Sequence, residues 1–284
     1  MSGRAGRCVV KGISGQDHSR DGAGMKYVYA VESRRAGGVS IGVNLNPNNA
    51  CNWRCIYCQV SGLTRGAPPD PDLEQLEREL RSMIAIAASD AGGIGPRHIE
   101  DVAFSGNGES SLSPRFGDAV QCVRRVLREM DPCGAIRLRL ITNGSQILHP
   151  QVQIGLHSIE EHAGEVWFKV DGGSREAIAR INDVNLDPQG VAHRLGRCAE
   201  LVSTWVQTCV FSLDGQGPDE TWLNDYLSLL RDAGTDRLKG VLLYGIARPS
   251  MQPEATRLAR LSTEEIESIA ASIRETGLTV KVSP

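Results

Sequence analysis

The sequence predicts an α/β protein: a partial (β/α)6 TIM-like barrel built on a parallel sheet. Three observations predict it. Strand-like runs alternate with helical apolar periodicity along most of the chain, the pattern of βαβ units and parallel pairing. Six strand–helix units can be counted, two fewer than a closed eightfold barrel needs. Segments rich in Cys, Gly and Asn fall where the strand-like runs end, and parallel barrels gather their chemistry at that end.

In chain order, residues 1–35 read as a polar, Gly-rich N-terminal arm, and residues 36–284 as one barrel domain. VSIGVNL (39–45) is a β-branched run that stops before a cysteine-rich loop. DLEQLERELRSMIAIAAS (72–89) places Leu73, Leu76, Leu80, Met83, Ile84 and Ala87 at helical spacing. IEDVAFSG (99–106) reads as a buried strand, and PRFGDAVQCVRRVLREMD (114–131) as a helix with Pro in its first turn. IRLRLITNG (136–144) is a strand, followed by a short helical piece near 149–157, and EVWFKVDG (165–172) is the next strand. From Ser174 to Ser203 two helical segments are broken near Asp187-Pro188. WVQTCVFSL (205–213), the helix at 218–234, GVLLYGIA (240–247) and the helix at 262–277 follow, with TVKV (279–282) as an edge strand.

Composition excludes several function classes. A chain of 284 residues with 40% hydrophobic content can bury a full core. The formal charge of −3 and pI of about 6.1 supply no global field toward nucleic acid or anionic lipid. No apolar run approaches the roughly 20 residues that span a bilayer, and the N-terminus lacks the apolar core of a secretion signal. Eight cysteines, three of them crowded, do not resemble a disulfide scaffold. They suit a reducing cytoplasm and a metal site.

The crowded cysteines are Cys51, Cys55 and Cys58 in CNWRCIYC. A structural zinc or an ordinary cubane takes four thiolates. Three thiolates leave one position for an exogenous ligand, as an open catalytic zinc site does. The bland alternative is a zinc knuckle that borrows a distant Cys or His. The six histidines show no paired ligand spacing. Cys8, Cys122, Cys133, Cys198 and Cys209 are scattered and read as small hydrophobes. Lys169 and Asp171 share one face of their strand, because alternate residues point to the same side. A charged pair turned into a barrel must be matched by polar partners, so both are candidates for the catalytic interior.

The spacing C-x3-C-x2-C, with Tyr57 before the last cysteine, resembles the signature of the radical S-adenosylmethionine (SAM) superfamily. SGNGE (105–109) and ITNG (141–144) follow the next two strands in the order that family shows. Stretches from VYAVES through KVDGGSREAIARIND to ARPSMQP, residues 27–253, resemble its wyosine-synthase-like oxidoreductases. Only Cys8 precedes Cys51, so the second cluster of the assigned members lacks its ligands here.

The resemblance implies a radical SAM core with one [4Fe–4S] cluster on Cys51, Cys55 and Cys58. It implies SAM against Gly106, Asn107, Gly108 and Glu109, with Glu109 accepting from the ligand ammonium. Thr142 and Asn143 would approach the ribose and carboxylate, and Tyr57 would pack by the adenine while Trp53 shields the cluster. Arg248, and Arg34 with Arg35, would meet an anionic group of SAM or substrate. The implied reaction is reductive cleavage of SAM to a 5′-deoxyadenosyl radical that takes hydrogen from a substrate. That substrate is a small metabolite or a peptide, and the electron comes from a partner such as flavodoxin or ferredoxin. A rival expectation is tRNA base modification, toward which residues 1–35 offer seven Lys/Arg against three Asp/Glu and one helix offers Arg124, Arg125 and Arg128. A second rival is a non-catalytic iron–sulfur or zinc protein.

Overall fold

The computed structural model describes residues 24–33, 38–88 and 98–284. Cys8, Arg34 and Arg35 lie outside these residues. Eight strands form one sheet whose spatial order follows the chain: β1 (Val28–Ser33), β2 (Gly38–Val43), β3 (Ile99–Phe104), β4 (Arg137–Thr142), β5 (Glu165–Lys169), β6 (Thr204–Val210), β7 (Gly240–Gly245) and β8 (Val280–Ser283). From β2 to β8 every neighbouring pair is parallel. Sequential parallel strands joined by crossovers of one hand place their helices on one side, so the sheet curls as a barrel wall. With β1 and β8 at its two edges, the wall stays open, and the predicted fold class is the one observed.

The crossovers are α1 (Leu73–Ala88), α2 (Phe116–Met130), α3 (Pro150–Glu160), the pair α4 (Arg175–Asn182) and α5 (Pro188–Leu201), α6 (Glu220–Ala233) and α7 (Thr263–Arg274). Strand periodicity sorts the two faces of the sheet. Ile41, Val43, Val102, Phe104, Leu138, Leu140, Val166, Phe168, Val206, Val241 and Leu243 join the buried helix stripes, such as Leu76, Leu80 and Met83 of α1, in one core. Their neighbours in sequence, among them Asp101, Arg139, Glu165, Trp167, Lys169 and Gln207, face the interior of the curl. That interior is polar but satisfied: the Arg139 guanidinium bridges Asp101 and Glu165, and Ser40 donates to Asp101.

Three differences from the sequence reading concern local signals. The stretch 28–33, placed in the N-terminal arm, is β1, paired antiparallel to β2 from Val28↔Val43 to Ser33↔Gly38. The helix expected from Pro114 begins at Phe116, after a 3-10 turn at Ser110–Leu112. The strand expected over 205–213 breaks after Val210, and Ser212–Leu213 pairs instead with Leu258–Ala259. The break near Asp187-Pro188 is real and begins earlier. Asp183 closes α4 in the left-handed region at φ 51°, and Pro188 opens α5 at its first position. That early stop sets the end of α4 against the cysteine loop.

Candidate functional site

The cysteine loop follows β2, and its backbone groups find partners far away in sequence. The last carbonyls of a helix have no intrahelical partner. At the end of α4, Ile181 and Asn182 use theirs to accept from Ile56 N (2.9 Å) and Arg54 N (3.1 Å). From the other side, the segment after β7 closes on the loop carbonyls. Ser250 Oγ donates to Ile56 O (2.7 Å) and Cys58 O (3.2 Å), Met251 N donates to Cys58 O (2.9 Å), and Gln252 Nε2 donates to Val60 O (3.0 Å). Arg54 then clamps both flanks, bidentate on Glu254 at 2.9 Å and on Asp183 at 2.8 Å. Those bonds hold the Asp183 and Glu254 carboxyls below the usual carboxylate range.

Within this frame Cys51, Cys55 and Cys58 are half-buried and free of disulfides. Cys51 Sγ accepts from the backbone N–H of the buried Trp53 at 3.5 Å, and Cys55 Sγ from Asn182 Nδ2 at 3.3 Å. Burial pushes the thiols up, Cys51 to about 11 and Cys55 to about 12, so at neutral pH a metal must displace their protons. The donor set fits a cubane: three reachable thiols, with N–H···S bonds to two sulfurs of the kind that tune iron–sulfur sites. Among the described residues no three His, Cys, Asp or Glu side chains close around a single ion.

The SGNGE turn after β3 lies against the same loop. Its glycines lie tight against the protein's own chain. A Cβ on Gly106 would sit 2.3 Å from Asn44 Oδ1, and one on Gly108 would sit 2.0 Å from the Ala50 carbonyl. Asn107 donates from its backbone to Asn44 Oδ1 (3.1 Å) and from its amide to Asn49 Oδ1 (2.6 Å). Glu109, expected to meet a ligand ammonium, is 3% exposed and turned inward. Its carboxylate accepts from Ser111 N (3.1 Å), Ser111 Oγ (2.6 Å), Thr142 Oγ1 (2.7 Å) and Asn143 N (2.6 Å). Burial still raises its pKa against those donors.

Thr142 and Asn143 are therefore brought to the SGNGE turn by Glu109. Asn143 also reaches the cysteine loop, donating from Nδ2 to Asn52 Oδ1 at 2.9 Å. One neighbour is left unpaired. Asn46, fully buried, spends its Nδ2 on Ala50 O (2.8 Å) and Glu109 O (3.3 Å), and its Oδ1 has no partner among the described residues.

At the end of β5, Lys169 Nζ donates to the Tyr57 hydroxyl, and Tyr57 donates to Asp171 Oδ2 at 2.6 Å. The Tyr57 hydroxyl thus turns toward β5. Burial pushes the Tyr57 phenol well above the ordinary tyrosine value. Burial opposes the Lys169 charge, yet Tyr244, Asp171 and the Cys55 and Cys209 sulfurs hold its pKa well above the lysine value. Asp171 also accepts from Asn182 Nδ2 (2.8 Å) and Cys209 N (3.1 Å). It is a buried hub, and Lys169 Nζ stands 4.0 Å from it. Arg248 lies beside the loop as well, its carbonyl accepting from Gln59 Nε2 at 3.3 Å.

Sequence reasoning missed Arg54, Asn182, Ser250 and Gln252. The Asn-Asp pair at 182–183 signals the end of a helix. Nothing local tells that the Asn182 amide reaches a cysteine.

This sheet, open at both edges with the cysteine loop at the mouth of β2, is similar in fold to solved structures that include a radical SAM enzyme. A radical SAM methyltransferase from Sphaerobacter thermophilus superposes with a TM-score of 0.60 over 90% of this chain and 68% of that one, at 15% identity. HydG, a maturase of the [FeFe]-hydrogenase, superposes with a TM-score of 0.54 over 83% of this chain and 48% of that one, at 10% identity. At such identities the likeness is one of fold. In sequence, the chain is 30% identical over 160 residues to the UPF0026 protein of Methanocaldococcus jannaschii. The match takes in 55% of this chain and 44% of that protein, so the chain spans less than half of this relative. No protein-family model matches.

Proposed function

We propose that this chain is a radical SAM enzyme whose Cys51, Cys55 and Cys58 hold one [4Fe–4S] cluster with an open iron for SAM. Bound together, that cluster and SAM supply the electron transfer that yields methionine and a 5′-deoxyadenosyl radical. One observation carries the reading: a single hydrogen-bond network joins the three-cysteine loop, the SGNGE turn and the TNG turn at one mouth of the sheet.

Each residue then has a task. The turns 106–109 and 142–143 wall the SAM site, and Glu109 acts by fixing both turns. The unpartnered Asn46 Oδ1 beside the Glu109 carbonyl offers the acceptor that a ligand ammonium requires. Lys169 stands at the interior edge, where its remaining donors face substrate or SAM, and Arg248 lines the approach. Asp171 orders Tyr57 and Asn182. Residues 36–284 work as one catalytic domain, to which β1 adds an edge strand.

Within the superfamily the motifs favour the wyosine-synthase-like oxidoreductases. A small metabolite or peptide suits the interior better than tRNA. Arg124 and Arg125 are paired with Glu161 and Glu77, so α2 presents compensated charge instead of a phosphate track. No helix among the described residues is long and apolar enough to cross a membrane. A cytoplasmic enzyme reduced by flavodoxin or ferredoxin is consistent with that.

The test is turnover. Anaerobically purified protein, reduced in the presence of SAM, is expected to form methionine and 5′-deoxyadenosine. Adding deuterated metabolite, peptide or tRNA pools identifies the substrate class by deuterium in the 5′-deoxyadenosine. A colourless protein that binds zinc and leaves SAM intact would overturn the proposal.

A further inference from the structure

We propose that Asn182 sets the reduction potential of the cluster through its hydrogen bond to Cys55. The inference rests on the radical SAM reading and concerns a residue to which the sequence analysis gave no role. Asn182 is the last residue of α4 and is 1% exposed. Its Nδ2 stands 3.3 Å from Cys55 Sγ and 2.8 Å from Asp171 Oδ2.

The orientation of this amide follows from its partners. A carboxylate oxygen only accepts, so the NH2 end must face Asp171, and its second hydrogen is left for the sulfur. Asp171 is itself fixed by Tyr57 and by the backbone of Cys209. The backbone of Asn182 is fixed too. Its carbonyl accepts from Arg54 N, and the next residue turns left-handed and donates back to Ala179 O. The side chain is thus held from three directions, with one donor aimed at one candidate cluster sulfur.

A donor to a ligating thiolate draws charge from the sulfur. It stabilises the reduced cluster, which carries the extra electron, more than the oxidised one, and so raises the potential. Cys51 receives a backbone donor instead, from Trp53. Cys55 receives its donor from a side chain, which a substitution can remove. A higher potential lets a milder one-electron reductant load the cluster, which makes Asn182 a positioning residue for the first step of the proposed reaction.

The full-length protein is loaded anaerobically with iron and sulfide. Iron per chain and midpoint potential are then read by redox titration monitored by electron paramagnetic resonance. Asn182→Leu is expected to keep its iron and to shift the reduction equilibrium about tenfold toward the oxidised form, a fall of ~59 mV for one electron. Asn182→Gln, which keeps a donor, is expected to lie nearer the wild type. A leucine variant that is loaded and unshifted overturns the inference.

Should the leucine variant not load, Asn182→Ala replaces it, since it also removes the donor and adds no bulk. A lowered potential then supports the inference. An unchanged potential overturns it, and loss of iron from both variants overturns it by making Asn182 a folding residue. A wild type that takes up no iron refutes the radical SAM reading as well. Iron in the wild type with unmoved variant potentials refutes only the role of Asn182.

Discussion

Glu109 and Asn143 belong to turns after two different strands, and the carboxylate of the first accepts the backbone N–H of the second at 2.6 Å. With Thr142 Oγ1 on the other carboxylate oxygen, this bond makes the ends of β3 and β4 one unit. Glu109, which the sequence reading sets against a ligand ammonium, joins the turns after these two strands.

Removing that carboxylate should therefore cost stability first. Glu109→Ala strands the buried donors of Ser111, Thr142 and Asn143, at about 1–3 kcal/mol for each group left unsatisfied. The expected outcome is a drop in thermal midpoint together with reduced iron binding. A variant with unchanged midpoint and iron but weaker SAM binding would instead give Glu109 the ammonium contact that the sequence suggests.

Gly108 has no room for a side chain, because a Cβ would meet the Ala50 carbonyl at 2.0 Å and Asn46 Nδ2 at 2.7 Å. Gly108→Ala must push the chain next to Cys51 aside. A cost of about 1–3 kcal/mol is expected, as for other overpacked sites. Thiol alkylation of Cys51 in the metal-free protein should quicken. Neither change appearing would show that the two turns are not in contact in solution.

The Arg54 clamp carries an acid-sensitive part of the stability. Its partners Asp183 and Glu254 have folded pKa values below their unfolded ones, so their contribution is present above roughly pH 4 and is lost as pH falls through the folded values. Both partners are partly exposed, which limits the sum to ~1 kcal/mol. Arg54→Met should unfold at lower temperature than the wild type at pH 7, and the gap should narrow as pH falls below about 4. A gap independent of pH would mean that Arg54 acts through packing.

Lys169 is the charged group that the fold turns toward the interior beside Tyr57. Lys169→Met keeps the apolar stem, so the fold should persist. Loss of one charge-assisted contact should slow SAM cleavage about tenfold. Unchanged steady-state kinetics would remove Lys169 from the site.

How much of this was legible before folding depends on where each signal resides. Strand and helix carry their own periodicities, so the order of elements from β2 to β8 could be read directly. β1 could not, because Val28–Ser33 sits beside a polar, arginine-bearing stretch and its partner β2 is the only thing that makes it a strand. Three cysteines within eight residues announce a site by themselves. Glu109 announced itself also, but its role did not, since its partners arrive 33 and 34 positions later. Asn182, Ser250 and Gln252 are ordinary polar residues, and their meaning exists only in contacts that span 127 to 194 positions.

The most direct measurement is Mössbauer spectroscopy of 57Fe-loaded protein with and without SAM, beside the three single Cys→Ala variants at 51, 55 and 58. The account predicts about four irons per chain, one of which changes its spectrum when SAM is added, and no such cluster in any variant. A wild-type spectrum in which SAM alters no iron, or a cluster that survives any one of the three substitutions intact, would contradict it.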